Sequence, residues 1–408
     1  MSHRESKSEL TELVISETEH KQRLQKIRRQ LSQRRLKALY LVDPTRILYA
    51  TGFSYLPTER PLAVVIPEDG PIFIMGPALE HEHVRQDARL IDEVYSYPDY
   101  PGKEHPIKYF AKVLNTKELR KGRIATDSFE GAAGGYGYRG PSLSNVMRNA
   151  RFLDGRDIID KMRLVKSNSE LRLLRESAKW SRTAHDILLE NTSAGSWDVI
   201  TGVRASLEGL ERMLKRLNGS YRQLKWALSP LVVGYRGQVG PESAIPHTVF
   251  TRRKIRRGDV LVSEAGVEIG GYTSELERTV IVGKPTSKAE KYFAAMLEAQ
   301  TSALKTFGPG VECRTVDQAA KVTVQKLGLE KHLLHHTGHG IGLEGHEPPW
   351  LDPGDYTVMK PGMVFSCEPG LYVPGYAGFR HSDTVAITKS GMSFITEYPR
   401  SLEELTIR

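Results

Sequence analysis

The spacing of apolar residues predicts two parts of different character in this chain. Over residues 36–74, short apolar runs alternate with turn residues, which is typical of strands, and Pro67–Gly70 is predicted to form a hairpin turn. Over residues 20–35, apolar residues recur at helical spacing among basic ones, which predicts an amphipathic surface helix. Two later runs, GRIATDSF and ARFLDG, are predicted to be further strands. We therefore expect a smaller α/β domain over residues 1–160.

A helix start at Ser167 marks the second part. Glu170 follows three residues later, which is the pairing of a capping box at a helix N-terminus. Two further helices are predicted over residues 287–307 and 315–327, with strand-like runs between and after them. Because a chain of 408 residues exceeds what one hydrophobic core usually serves, a second domain is expected over residues 161–408.

Composition favours a globular enzyme. With 39% hydrophobic and 26% charged residues, the chain is too apolar to be disordered. It contains no run of 18 apolar residues and begins with polar residues, so we expect no membrane span, no signal peptide and a cytoplasmic location. The net charge of +9 is densest in the predicted surface helix, where no nucleic-acid-binding module occurs, so no nucleic-acid partner is expected.

Two other sequence features are interpreted as structural. Cys313 and Cys367 belong to no CxxC or CxxH pair, so both are expected to be small buried residues. Five glycines occur within residues 131–140, but they lack the strand-loop-helix context of a phosphate-binding motif. We therefore predict a loop there.

Carboxylates cluster on one predicted hairpin. The stretch from Gly258 to Lys284 is predicted to form two strands joined through Gly270–Gly271, and this places Glu264, Glu275 and Glu277 close together. Residues two apart in a strand point the same way, so Glu275 and Glu277 share a face. Neighbouring carboxylates must be solvated, paired or directed into a site that uses their charge.

Histidines and another carboxylate follow in glycine-rich and apolar surroundings. His335, His339 and His346 lie in the segment HHTGHGIGLEGHEPPW, a poor helix former in which glycines allow close backbone approach. Glu368 lies within the apolar run PGMVFSCEPGLY, and Arg380 follows in GFRHSDTVAIT. A buried carboxylate without a partner or a role is costly, so these segments predict a functional site.

These blocks, in this order, resemble the creatinase/prolidase superfamily, which includes prolidase, aminopeptidase P, methionine aminopeptidase and creatinase. The segments GHGIGL, HEPP and PGMVFSCEPGLY carry the resemblance, which extends from about residue 160 to the end of the chain. It implies an α/β (α+β) chain. A C-terminal pita-bread domain would follow a smaller N-terminal domain of the creatinase/prolidase type.

The metal ligands that the resemblance implies are only partly present. Peptidase members hold two metal ions through two aspartates, a histidine and two glutamates, and His339 and Glu368 match two of these positions. Glu264 and Glu275 replace the aspartates, and Ser382 replaces the last glutamate. Because metal–oxygen bonds are held near about 2.0–2.2 Å, longer or missing side chains disturb such a centre. We therefore expect no metal ion. The alternative is one Mn, Fe, Co or Zn ion held by Glu264, Glu275, His339 and Glu368.

The hairpin segment GGYTSELERTV resembles the creatinase version. This implies that Glu277 and Glu368 hold a substrate guanidinium, with His247 as general acid and base and His346 as a fourth catalytic residue. The candidate substrate-binding residues are His335, His339, Arg60 and Arg380. In creatinase one arginine comes from the N-terminal domain of a second subunit. Arg60 lies near that position, so a homodimer is expected.

We therefore expect a creatinase-like hydrolase that cleaves a C–N bond of a small amidino or amide compound. Creatine or a cyclic amidine of the ectoine kind would be the substrate, although Trp350 stands where creatinase has an arginine for the substrate carboxylate. The alternative is a metal-dependent Xaa-Pro dipeptidase or aminopeptidase P. A third possibility is a non-catalytic binding protein on the same fold.

Overall fold

The computed structural model describes residues 12–133, 139–251 and 253–408. These residues form two compact units: Ile15–Arg163 with Leu224–Trp226, and Leu164–Gln223 with Ala227–Arg408 and the segment ending at Val14. The predicted absence of a signal peptide concerns residues 1–11, and half of the predicted glycine-rich loop is residues 134–138. Both therefore lie outside the described residues. Within the described ranges, no helix is long and apolar enough to cross a bilayer. The cytoplasmic location stays a prediction.

The N-terminal unit is built on one mixed sheet. Its strands are β1 (Ala38–Leu41), β2 (Ala63–Pro67), β3 (Phe73–Pro77), β4 (Glu93–Tyr97), β5 (Arg123–Thr126) and β6 (Arg151–Asp154). Its helices are α1 (Glu17–Gln33), α2 (Pro44–Thr51), α3 (His81–Asp87), α4 (Pro106–Thr116), α5 (Leu143–Val146) and α6 (Arg156–Arg163). The strand order is β4-β3-β2-β1-β5-β6. The predicted amphipathic helix is α1, and the predicted turn joins the antiparallel strands β2 and β3.

The C-terminal unit combines one large sheet, two small sheets and four long helices. Its helices are α7 (Asn168–Asn191), α8 (Asp198–Leu217), α9 (Ser287–Leu304) and α10 (Cys313–Lys326). Its strands are β7 (Leu231–Gly234), β8 (Val260–Val262), β9 (Glu264–Ile269), β10 (Tyr272–Glu277), β11 (Thr279–Val282), β12 (Gly338–Gly340), β13 (Glu347–Leu351), β14 (Val364–Cys367), β15 (Gly370–Val373), β16 (Ala377–Arg380), β17 (Ser382–Ile387), β18 (Met392–Phe394) and β19 (Thr406–Ile407). The large sheet has the order β13-β12-β14-β17-β10-β9-β7, with β18 paired to β17.

The predicted helices of this unit are present, with small differences at their ends. The capping box is confirmed, because the Ser167 hydroxyl accepts from the Glu170 amide while the Glu170 carboxylate accepts from the Ser167 amide. Helix α9 ends at Leu304 rather than 307, and α10 starts at Cys313 rather than 315. Cys313 and Cys367 are free and buried, as expected.

The predicted hairpin is confirmed at its turn but not along its whole length. Strands β9 and β10 pair in the large sheet, whereas β8 and β11 pair in a three-stranded sheet with β19. The change occurs at Ser263 and Arg278, where the Ser263 hydroxyl donates to the Arg278 carbonyl and accepts from the Arg278 amide. A side chain therefore takes part in the ladder at this point, and each arm divides into two short strands.

The Arg278 side chain is completely buried beside this break. It donates to the carbonyl oxygens of Glu277 and Ser382 at 2.7 and 2.9 Å and to the Asp383 carboxylate at 2.7 Å. Its remaining donors reach the carbonyl oxygens of residues 398 and 399. A guanidinium group is always charged, so its burial would be strongly destabilising without this complete set of hydrogen-bond acceptors. Arg278 thereby joins β10 to β17 and to the C-terminal segment.

Helix α7 is attached to the carboxylate-bearing hairpin by a buried serine. The Ser177 hydroxyl donates to the Val267 carbonyl on β9 and accepts from the Ser274 amide on β10 at 2.8 Å. Both backbone groups lie in the interior, where an unsatisfied polar group is destabilising. Ser177 is thus one of the α7 side chains that hold the hairpin against this helix, together with Glu170, which accepts from the Tyr272 hydroxyl.

We expect Ser177→Ala to lower the free energy of unfolding by about 1–3 kcal/mol, because it removes two buried hydrogen bonds between the helix and the hairpin. Thermal unfolding followed by circular dichroism measures this. The control is Ser169→Ala near the start of the same helix, where the serine is only partly buried and has no side-chain partner among the described residues. Equal melting temperatures for the two variants would contradict the role given to Ser177.

Candidate functional site

Neighbouring strands of the large sheet bring the candidate side chains together. Strand β10 carries Glu275 and Glu277, and Glu277 lies opposite Ser382 on β17. Strand β14 pairs with the other side of β17 and leads directly into Glu368. Strand β12, which carries His339, pairs with β14. Residues up to about a hundred positions apart in the sequence therefore meet on one region of the sheet.

Glu275 is held by two serine hydroxyls. Its Oε1 atom accepts hydrogen bonds from Ser366 at 2.7 Å and from Ser382 at 2.6 Å. Its Oε2 atom lies 3.9 Å from Nε2 of His339. One carboxylate oxygen is thus satisfied by neutral donors, and the other faces the histidine.

His339 is completely buried among these carboxylates. Its Nδ1 donates to the Gly340 carbonyl at 3.0 Å, which places the lone pair of the neutral ring on Nε2. Nε2 lies 3.2 Å from Oε1 of Glu368 but makes no well-aligned hydrogen bond. Burial alone would lower the pKa of His339, but the carboxylates of Glu368 and Glu275 outweigh it and raise the pKa to about 9. The ring therefore lies in a strongly negative environment.

The donor atoms of these residues fit a divalent cation. Ligand atoms of Glu275, His339 and His346 lie within 4.8 Å of one another, and so do those of Glu275, Glu277 and Glu368. The rings of His339 and His346 stack with their centroids 3.7 Å apart. Carboxylate oxygens and an imidazole nitrogen suit Mn, Fe, Co or Zn. The buried Nε2 of His339, which has no aligned hydrogen bond, points into this group.

Glu277 forms a buried ion pair with Arg380. Both terminal oxygens of Glu277 accept from the guanidinium group, through Nε and, at 2.6 Å, through Nη2. The side chains are only 5% and 4% exposed. Burial raises the pKa of Glu277, and the charge and hydrogen bonds of Arg380 act in the opposite direction. Arg380 also donates to the Tyr372 hydroxyl at 3.0 Å.

His335 is engaged at both ring nitrogens. Nδ1 donates to the His336 carbonyl at 2.8 Å, and Nε2 accepts from the Tyr372 hydroxyl at 2.8 Å. Because Tyr372 also accepts from Arg380, these groups form a continuous chain of hydrogen bonds. Burial lowers the pKa of His335 and favours the neutral ring. His335 is thus held in place by this chain, and its predicted contact with substrate stays a prediction.

Glu264 lies beside an arginine that the sequence did not single out. The Nε atom of Arg236 is 3.3 Å from Oε2 of Glu264, and its Nη2 donates to the Pro246 carbonyl at 3.2 Å. His247 follows Pro246 and is exposed. Arg236 therefore connects the carboxylate to the segment that carries the candidate general acid and base.

Two family descriptions match the chain. Metallopeptidase family M24 matches residues 172–389, which is more than half of the chain, and the creatinase/prolidase N-terminal domain matches residues 23–165. The chain belongs to metallopeptidase family M24. The predicted fold class, an N-terminal α/β domain followed by a pita-bread domain, is thereby confirmed.

Relatives of this M24 chain align along nearly its whole length. It is 29% identical over 389 residues to the Xaa-Pro dipeptidase of Lactobacillus helveticus, an alignment that covers 94% of this chain and 99% of the relative. It is 27% identical over 382 residues to the Xaa-Pro dipeptidase of Pyrococcus furiosus, with 94% and 99% covered. The crystal structure of a prolidase from Thermococcus sibiricus shares 25% identity and a TM-score of 0.81, with 95% and 99% covered.

The predicted creatinase-like amidine chemistry is wrong for this M24 chain. The relatives are Xaa-Pro dipeptidases and the solved structure is a prolidase, which supports the alternative interpretation. The geometry gives a physical reason, because the guanidinium that Glu277 binds belongs to Arg380 of the chain itself. Neither side chain of this pair is free to hold a substrate.

The expectation that no metal ion is bound is also wrong. The family is one of metallopeptidases, and the chain presents the two groups of potential cation ligands described above. The longer side chain of Glu275 does not abolish the site, because two hydroxyls orient its carboxylate.

Several residues of the M24 site were missed or misplaced by sequence reasoning. Ser366 lies two positions before Glu368, and its position in an apolar strand was a usable signal. Arg236 had no comparable signal, because it lies at a positive φ of 51° in an irregular segment.

Arg60 belongs to the N-terminal unit, where it contacts Glu59 and lies 3.8 Å from Asp99. Its contact with a substrate in a second copy stays a prediction.

The Glu277–Arg380 pair generates a test by double substitution. We expect Arg380→Met to lower the free energy of unfolding by about 3–5 kcal/mol, because it leaves a buried carboxylate without its partner. Combining it with Glu277→Met removes that charge and restores most of the loss. Urea unfolding followed by tryptophan fluorescence measures both variants. If the double variant is as unstable as the single one, the ion pair is not the reason for the loss.

Proposed function

We propose that this protein is a divalent-metal-dependent peptidase that hydrolyses short peptides of the Xaa-Pro class. The observation that carries the proposal is His339, a buried histidine whose Nε2 has no aligned hydrogen bond and faces the carboxylates of Glu368 and Glu275. Such an arrangement suits a metal cation better than a neutral or negatively charged ligand. The names of the M24 relatives supply the substrate class.

Glu275, His339 and Glu368 would hold the ion. When bound, a divalent ion supplies Lewis-acid polarisation of the peptide carbonyl and makes a neighbouring water a stronger acid. The Gly340 carbonyl keeps His339 in the tautomer that presents Nε2, which is the form a metal ligand requires. His346 is exposed where it stacks on His339, and His247 is also exposed, so either ring can move protons between solvent and substrate.

Trp350 favours a prolyl substrate over a small carboxylate-bearing amidine. It lies directly opposite His339 in the pairing of β12 with β13, so both side chains emerge on the same face. Trp350 is 37% exposed, and the centroid of its indole ring is 6.4 Å from that of the His339 ring. An exposed aromatic ring offers an apolar surface to a pyrrolidine ring, whereas it provides no charge for a carboxylate.

We expect protein treated with EDTA and then supplied with Mn²⁺, Co²⁺ or Zn²⁺ to cleave Xaa-Pro dipeptides, and EDTA to abolish this activity. His339→Ala should lower kcat/KM by at least about 100-fold, because it removes a metal ligand. Glu298→Gln on the exposed side of α9 is the control. Product formation is measured by amine release, with matched Xaa-Ala dipeptides alongside.

Metal-independent cleavage would contradict the proposal. A protein that is thermally stabilised by the dipeptides but cleaves none of them would contradict it too, because this is the behaviour of a non-catalytic binding protein.

We also propose that the protein forms a homodimer through helix α8. Up to Gly209 this helix buries only small or polar residues, whereas large apolar residues are exposed along its length, which differs from the usual arrangement. The outward residues, which are 47–61% exposed, are Val199, Ile200, Val203, Leu207 and Leu214. A continuous exposed apolar stripe of this kind is typical of an interface between proteins.

The charges beside this stripe favour a second copy of the chain as the partner. Leu207 lies near its middle, with exposed Arg204 three residues before and exposed Glu211 four residues after. If two α8 helices pack antiparallel about a twofold axis between Leu207 and Glu208, Arg204 of each copy faces Glu211 of the other. A closed dimer requires such a self-complementary surface.

We expect the wild type to elute as a dimer in size-exclusion chromatography with light scattering, and Val203→Glu/Leu207→Glu to elute as a monomer, because two buried charges would oppose contact. Leu327→Glu, at the exposed end of α10, is the control and should remain dimeric. A monomeric wild type, or a dimeric α8 variant, contradicts the interface.

A further inference from the structure

The side chains around Glu275 differ from a two-metal ligand set at three positions, and the structure shows what each replacement contacts. Glu264 and Glu275 stand where the resemblance implies aspartates, and Ser382 where it implies a glutamate. We infer that this centre holds one divalent ion per chain. In place of a second ion, Arg236 supplies positive charge beside Glu264, and serine hydroxyls donate hydrogen bonds to Glu275. The inference rests on the proposed metal dependence and specifies its stoichiometry.

Glu275 is arranged to bind one ion rather than to bridge two. A bridging carboxylate needs an oxygen available for each metal. Here Oε1 already accepts from both Ser366 and Ser382, and only Oε2 faces His339. The Ser382 hydroxyl is thus a hydrogen-bond donor to Glu275 at the position where a carboxylate would be a metal ligand.

Glu264 already has a cation beside it. The guanidinium of Arg236 lies 3.3 Å from its Oε2 atom, and that oxygen is inaccessible to solvent. The contact of Arg236 with the Pro246 carbonyl holds the arginine there. A metal ion bound to Glu264 would be repelled by the positive charge of Arg236, because like charges at short distance disfavour one another.

The charge balance of the centre also matches a single ion. The carboxylates are Glu264, Glu275, Glu277 and Glu368, and the guanidinium groups beside them are Arg236 and Arg380. With His339 neutral, as a metal ligand must be, four negative and two positive groups leave two net negative charges. One divalent ion neutralises them, whereas two divalent ions would leave an excess of positive charge in a partly buried site.

The test measures bound metal directly. Wild-type protein stripped with chelator, loaded with excess Mn²⁺ and passed through gel filtration should retain one Mn per chain by elemental analysis. Its electron paramagnetic resonance spectrum should show the six lines of an isolated Mn²⁺ ion rather than the pattern of a coupled pair. Two ions per chain with a coupled spectrum would overturn the inference and leave the proposed metal-dependent peptidase intact.

No retained ion, with activity that resists EDTA, would overturn the proposed function and this inference together. A restoring variant adds a second criterion. Glu264→Asp/Glu275→Asp/Ser382→Glu should raise the stoichiometry towards two, and the control Glu298→Asp/Ser302→Glu on α9 should leave it at one. A folded restoring variant that still binds one ion shows that these three positions do not set the number. If that variant does not fold, the wild-type stoichiometry and spectrum decide.

Discussion

The guanidinium group of Arg278 is buried between β10 and β17, where its donors are matched by carbonyl oxygens and by the Asp383 carboxylate. A shift of one residue in the pairing of these strands would turn every side chain to the opposite face and leave this charge without acceptors. The register that places Glu275 next to Ser382 is therefore tied to the cost of burying one arginine. The arrangement of the candidate site follows from that register.

Much of the fold was predictable because its determinants are local or repeated. Alternating apolar runs predicted β1, β2, β3, β5 and β6 of the N-terminal sheet, and the capping box at Ser167 predicted the start of α7. They did not predict β4, and they were wrong over Pro44–Thr51, where the chain forms α2 with Asp43 as its N-cap. The division of the carboxylate hairpin between two sheets was not predictable. It depends on the hydrogen bonds between Ser263 and Arg278 and on pairing with β17 and β19, which are remote in sequence. Periodicity shows that a segment is a strand but not which strand it pairs with.

The site was predictable in its members but not in its chemistry. Sequence motifs placed Glu275, His339 and Glu368 in one site, and the structure brings them together. The interpretation of Glu277 failed because its partner Arg380 lies 103 residues away, so the sequence could not show that the carboxylate was already neutralised. From the sequence, the replaced metal ligands indicated that the metal was lost. The contacts of Glu275 with two serines and of Glu264 with Arg236 indicate instead a metal centre with altered ligands.

The two hydroxyls on Glu275 have a consequence for how the centre responds to its ligand. Hydroxyl protons turn about the C–O bond without movement of heavy atoms, so Ser366 and Ser382 can both direct a proton at the same carboxylate oxygen. These two hydrogen bonds hold the Glu275 carboxylate in one orientation before an ion binds. The centre is thus preorganised: affinity for the ion is not reduced by the entropy of immobilising a flexible glutamate. A longer and more flexible side chain than aspartate can in this way be as well ordered as the residue it replaces.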